Sequence, residues 1–157
     1  MRLPDATLGR VTITKRVQSD LTAATKARDQ DRVGALRLVL DALRKEAKEA
    51  REELDEQREI AVLKRERKRR VEAADAYRGG QRTELAAKEE AEAAVIDEYL
   101  PEQLSDAELE AIVGETVAEM GAESAREIGT VMSAVMPKLG GRADGRRVSE
   151  IVRRKLA

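Results

Sequence analysis

The stretch with the densest chemistry-bearing side chains is Lys138-Leu139-Gly140-Gly141-Arg142-Ala143-Asp144-Gly145-Arg146-Arg147. Cations flank a glycine-rich turn that opens a helix. Backbone N–H groups and the helix dipole favour anions at such a place. Guanidinium forks beside it suit phosphate oxygens. Lys138, Arg142, Arg146 and Arg147, with Arg153 further on, are therefore the candidate nucleic-acid-binding residues. The competing reading is structural: the glycines close a tight turn and Asp144 caps the helix, placing negative charge where a phosphate would sit. Few acidic residues lie near this cluster in sequence. Contact would be with backbone and shape, because two tyrosines cannot supply a stacking platform.

A second basic patch, Lys64, Arg65, Lys68 and Arg69, lies in the run Lys64-Arg65-Glu66-Arg67-Lys68-Arg69-Arg70. An acidic stretch follows from Glu84 to Glu110, with Lys88 its only cation. Either the two stretches lie side by side and neutralise each other, at about 0–1 kcal/mol per surface pair, or the patch is free for a partner. The sequence leaves both open. Global charge is no guide, since 30 Lys and Arg balance 31 Asp and Glu.

Catalytic chemistry is poorly served. The chain has no His, removing the commonest general base and metal ligand, and no Cys, removing disulfides and thiolate zinc sites. Ser105 and Ser124 fit capping boxes, and Ser133 reads as a packing residue among apolar neighbours. No serine has an activating histidine. No calcium-loop, P-loop or dinucleotide spacing occurs. No cofactor and no metal are expected. The first residues, Met1-Arg2-Leu3-Pro4-Asp5, hold no apolar signal core, and no run approaches the ~20 apolar residues of a membrane span. A cytoplasmic protein is the expectation.

The elements that must position these side chains read as helices throughout. With no Phe and no Trp, the core must come from Leu, Val, Ile, Ala and Met. Stripes at Ile13, Val17, Leu21 and Ala24, then at Val33, Leu36, Val39, Leu40 and Leu43, predict two helices, with Asp31 as the second N-cap. A long helix is predicted over about 56–78, with a thin stripe of Ile60, Leu63, Val71 and Ala74 and a left-handed glycine stop at Gly79-Gly80. Another runs from near Thr83 to Leu100. Pro101 is the boundary. Beyond it, Ser105-x-x-Glu108 and Ser124-x-x-Glu127 are capping boxes, and Asp144 caps a third helix. Gly121 is the stop for the first of these helices, and Pro137 with Gly140-Gly141 for the second.

The stretch Glu98-Tyr99-Leu100-Pro101-Glu102-Gln103-Leu104-Ser105 resembles a signature of YqeY-like proteins. So do Gly129-Thr130-Val131-Met132-Ser133-Ala134-Val135-Met136-Pro137-Lys138, Gly141-Arg142-Ala143-Asp144-Gly145 and Val148-Ser149, with Ala27-Arg28-Asp29 and Leu36-Arg37-Leu38 in the N-terminal half. The resemblance implies a C-terminal part similar to the tail domain of the aminoacyl-tRNA amidotransferase B subunit, a tRNA-contacting helical module. The amidase and kinase-like parts of that enzyme have no counterpart here. Where the tail commonly carries Asn-Pro or a similar pair, this chain has Asp144-Gly145, which loosens the helix start; the resemblance implies a tail-like fold but not identical tRNA contacts.

The resulting expectation is an all-α chain with an elongated helical hairpin region over residues 1–100 and a three-helix tail-like domain over 101–157. Its expected function is non-catalytic, as a tRNA-binding or tRNA-amidotransferase-associated accessory module. The alternatives are a protein–protein adaptor, partnered by amidotransferase subunits or another protein, and carbon–nitrogen ligase activity with glutamine as amido donor. The last comes from the family label only.

Overall fold

A computed structural model describes residues 11–157. The described residues are helical, with no strand, and the chain divides into two compact units meeting at Leu100 and Pro101.

The first unit holds α1 (Ile13–Lys26), α2 (Gln30–Ala50), α3 (Glu56–Gly79) and α4 (Thr83–Asp97). Short turns join α1 to α2 and α3 to α4, so each pair packs as a hairpin. One core joins the two pairs. Ile13 and Val17 of α1 and Leu36, Val39, Leu40 and Leu43 of α2 meet Ile60, Val62 and Leu63 of α3 and Ile96 near the end of α4. These α3 residues all lie in its first half. The distal half is closed instead by Ala74 against α4, where Ala86 and Ala93 are buried. Small side chains let two helices approach closely without a thick apolar layer.

Local signals differ from expectation at several points. The N-cap of α2 is Asp29, whose carboxylate accepts from the Arg32 N–H at 3.2 Å; Asp31 lies in the first turn, where it complements the dipole. The chain reverses after α3 with the left-handed conformation at Gln81 (φ 61°), while Gly80 stays at φ −91°. Helix α4 ends at Asp97, three residues short of the expected end, and Leu100 falls outside it.

The second unit holds α5 (Asp106–Met120), a short 3₁₀ turn at Ala125–Glu127, α6 (Ile128–Leu139) and α7 (Gly145–Lys155). Its core is built from Leu109 and Val113 of α5, Val131, Val135 and Leu139 of α6, and Val148, Ile151 and Val152 of α7. The Ser105–Glu108 capping box is complete in both directions. Gly121 ends α5 in the left-handed region (φ 64°). The Ser124–Glu127 box opens the 3₁₀ turn and not α6 itself. Pro137 lies inside α6, which runs on to Leu139. Ser133 is exposed and donates to the Gly129 carbonyl, so it is not a packing residue.

Candidate nucleic-acid interface

The turn between α6 and α7 is held by its own chain. Gly140 (φ 54°) and Gly141 (φ 80°) both occupy the left-handed region, where a Cβ would be strained. This reversal presents the Arg142 carbonyl to the Leu104 N–H at 2.8 Å, and Ala143 is buried beneath it. Asp144 then caps α7, accepting from the Arg146 N–H at 3.1 Å. A carboxylate already fills the position where the helix start would receive an anion.

Arginine placement follows from the same tie. Arg147 donates from Nη1 to the Leu104 carbonyl at 3.0 Å and from Nε to Asp106 at 2.8 Å. Its guanidinium thus clamps the start of α5 to the start of α7. Lys138 donates to Thr116 Oγ1 at 3.0 Å and to Glu119 at 2.9 Å. Thr116 is itself buried and donates to the Ile112 carbonyl at 2.8 Å. Arg154 pairs with Glu110. The acidic partners missing near this cluster in sequence are therefore supplied by α5, about 20 to 40 residues earlier.

Two of the candidate cations sit differently. Arg146 has 87% of its side chain exposed and a loose 3.7 Å pair with Glu150 one turn on. Arg153 is exposed and carries no ion pair among the described residues. Seven residues apart, the two share one face of α7 at a separation of about 10 Å along the axis. Arg142 is half-buried, and its Nε donates to the Leu139 carbonyl at 3.1 Å.

The 64–70 run is threaded into the first unit. Arg65 pairs with Glu46 of α2 at 3.4 Å. Arg69 pairs with Glu66 at 3.2 Å and Lys68 with Glu72 at 3.9 Å, both within α3. Across the hairpin, Arg67 meets Asp97 at 2.5 Å, and Arg70 meets Glu92 at 3.2 Å and Glu89 at 3.8 Å. Lys64 is half-buried and also engaged. The basic and acidic stretches do lie against one another, through Arg67 and Arg70.

Three polar arrangements escaped the apolar pattern. Glu59, 2% exposed, accepts from both the N–H and the hydroxyl of Thr14 at 2.7 Å, so α3 caps the start of α1. Glu66 is buried under Arg69 and Arg70. Tyr99 is buried, donates its hydroxyl to Asp20 and lies under the Arg16 guanidinium at 5.2 Å. Burial first, and the Asp20 carboxylate second, push the Tyr99 phenol well above the ordinary tyrosine range. The available signal was spacing: Glu59, Leu63, Glu66 and Arg70 recur at i, i+4, i+7 and i+11, a single helical face.

Among the described residues there is no cluster of His, Cys, Asp or Glu able to hold a metal ion. No described helix is long and apolar enough to cross a membrane. Among the described residues, arginine ion pairs, capped helices and two small apolar cores make an all-helical protein. The Yqey-like protein family matches residues 14–156, and the chain belongs to that family. No curated protein matches it.

Proposed function

We propose that this YqeY-like chain is a non-catalytic binding module whose second unit contacts the phosphate backbone of tRNA. The observation that supports the reading is the exposed Arg146–Arg153 pair on α7, with Arg142 at the preceding turn as a third cation. Of the other candidates, Lys138 and Arg147 serve the fold, so their roles are to hold α5, α6 and α7 together. In the first unit, Arg65 and Arg69 stay secondary, since their carboxylate partners would have to be displaced; Lys68 is paired as loosely as Arg146, at 3.9 Å from Glu72, but its neighbours in the run are engaged. The resemblance to the amidotransferase B-subunit tail makes tRNA the nucleic acid of choice.

Phosphate contact releases counterions, so affinity should fall as salt rises, with a slope set by the number of phosphates neutralised. Three arginines give a shallow slope. The test is a filter-binding titration with tRNA at two salt concentrations, on the parent and on Arg146→Glu/Arg153→Glu. Loss of binding in the double variant, with helicity unchanged, is the expected result. Absence of any tRNA affinity at low salt overturns the proposal.

A second reading, a protein-binding adaptor associated with the amidotransferase or another partner, is favoured by the groove along α3 and α4. It is lined by Val71, Ala74, Ala93 and Ala94 together with the charged Arg67, Asp75, Arg78, Glu90 and Asp97, of which Arg67–Asp97 and Arg78–Glu90 pair across the hairpin. A helix laid in such a groove would meet apolar surface flanked by both signs of charge. Capture of a protein partner that survives nuclease treatment and the Arg146→Glu/Arg153→Glu change would select this reading.

A further inference from the structure

The distal half of the α3/α4 hairpin lies outside the apolar core, and its closure rests on alanines, on the Arg78–Glu90 ion pair near the turn and on one group of charges at mid-hairpin. Arg70 stands at the centre of that group, with only 17% of its side chain exposed. Its guanidinium meets Glu66 at 3.4 Å on its own helix, and Glu92 at 3.2 Å and Glu89 at 3.8 Å across the hairpin. Glu66 is shared with Arg69. For Glu89 and Glu92 the ion pairs among the described residues both go to Arg70. Two half-buried carboxylates one turn apart on α4 therefore compete for one guanidinium.

We propose that this cluster is a proton-operated clasp, in which protonation of Glu92 tightens the distal hairpin and its ionisation loosens it. A neutral Glu92 no longer repels Glu89, and Arg70 is left to pair fully with Glu89 and Glu66. The surroundings fit this assignment. Burial first, then the Glu89 carboxylate, raise Glu92 above the ordinary carboxylate range, while Arg70 and Lys88 act against them. From the start of α2 and its cap, Asp29, Asp31 and Arg32 line the same cleft as Glu92 and Lys88. Asp29 is occupied in capping α2, and Arg32 is turned to Glu98 at 2.7 Å.

The sign of the effect is unusual for a carboxylate. The folded state holds the Glu92 proton more tightly than the unfolded chain does. Between the ordinary glutamate value and the raised one, folding takes up a proton, so stability falls as pH rises through that window. Mild acid should therefore firm the hairpin. The cluster sits at mid-hairpin, from Glu66 in the first half of α3 to Arg70 in its second, so the change is local to the hairpin and the α2 core amides act as an internal reference.

Amide hydrogen exchange of the full chain, corrected for the intrinsic pH dependence of exchange, reads this directly. Distal α3 and α4 amides (residues 70–79 and 83–93) are expected to gain protection as pH falls from neutral towards the glutamate range, with α2 core amides unchanged. Glu92→Gln should give the acid-like protection already at neutral pH and abolish the pH response. Glu89→Gln, which relieves the same repulsion from the other side, should shrink the response. A parent protein with no local pH response, or a Glu92→Gln variant that keeps the parent's response, overturns the proposal.

Discussion

Glu59 illustrates how much one side chain can organise. Its carboxylate comes from α3, is buried, and satisfies the backbone and the hydroxyl of Thr14 at the start of α1. Cutting it back in Glu59→Ala strands two donors in the interior, which should cost about 1–3 kcal/mol. Urea unfolding would show a lower midpoint. Glu59→Gln keeps a carbonyl acceptor and should lose less. Tyr99 makes the complementary case for a donor. Its proton is held by burial and by Asp20, so folding favours the neutral phenol. The folded state should lose stability as pH rises from the ordinary tyrosine range towards the raised value. Tyr99→Phe should remove that alkaline component, and thermal melts across alkaline pH would check it. Neither residue announced itself by type. A Glu on an apolar face looks like an error in the stripe until the neighbouring helix end is known.

Among the elements, the helix starts were the most legible features. Ser105, Ser124 and Asp144 all precede helices or turns as expected, because a short polar side chain reaches a backbone N–H only within its own turn; for α2 the cap falls on Asp29 and not on Asp31. Replacing Ser105 by Ala should cost about 1 kcal/mol through loss of the α5 cap, measured as a lower Tm. Glu127 accepts from the Glu123 and Ser124 N–H groups at 2.7 and 3.0 Å, which holds its carboxyl below the ordinary glutamate range. Its contribution is present above the ordinary value and is lost as pH falls through the lowered one. Glu127→Gln should flatten that acidic limb of a Tm-against-pH curve. Helix ends were read in part: Gly121 and Gly140 stop α5 and α6 in the left-handed region as expected. Pro137 is tolerated within α6, and Gln81 takes the left-handed turn in place of the two glycines before it. A glycine or proline marks where a helix can end, and the path of the chain beyond it decides which residue takes the turn.

At the scale of the whole molecule, two aliphatic cores stand in for the aromatic core the chain lacks. Leu63 and Leu109 are fully buried, one in each. Leu→Ala at either should cost about 2–5 kcal/mol. Amide exchange should show the loss confined to the helices of its own core, since neither cluster shares a residue with the other. A loss spread equally over both would mean that the cores unfold as one. Charge follows the same division: the ion pairs described above close within one unit or the other.

Helix periodicity, apolar faces and the caps of the second unit were set by the sequence by itself, because each depends on residues within a turn or two of one another. The lack of histidine and cysteine likewise limits the available chemistry in any fold. Which charges are spent and which remain free was decided only by tertiary structure. Arg147 and Arg153 look alike in sequence, yet one is clamped to Asp106 and Leu104 and the other faces solvent. An ion pair forms wherever packing brings opposite charges within reach, and its partner can lie 41 residues away, as Asp106 does from Arg147. The physical reason is that electrostatic contact depends on distance in space, while sequence pattern reports only distance along the chain.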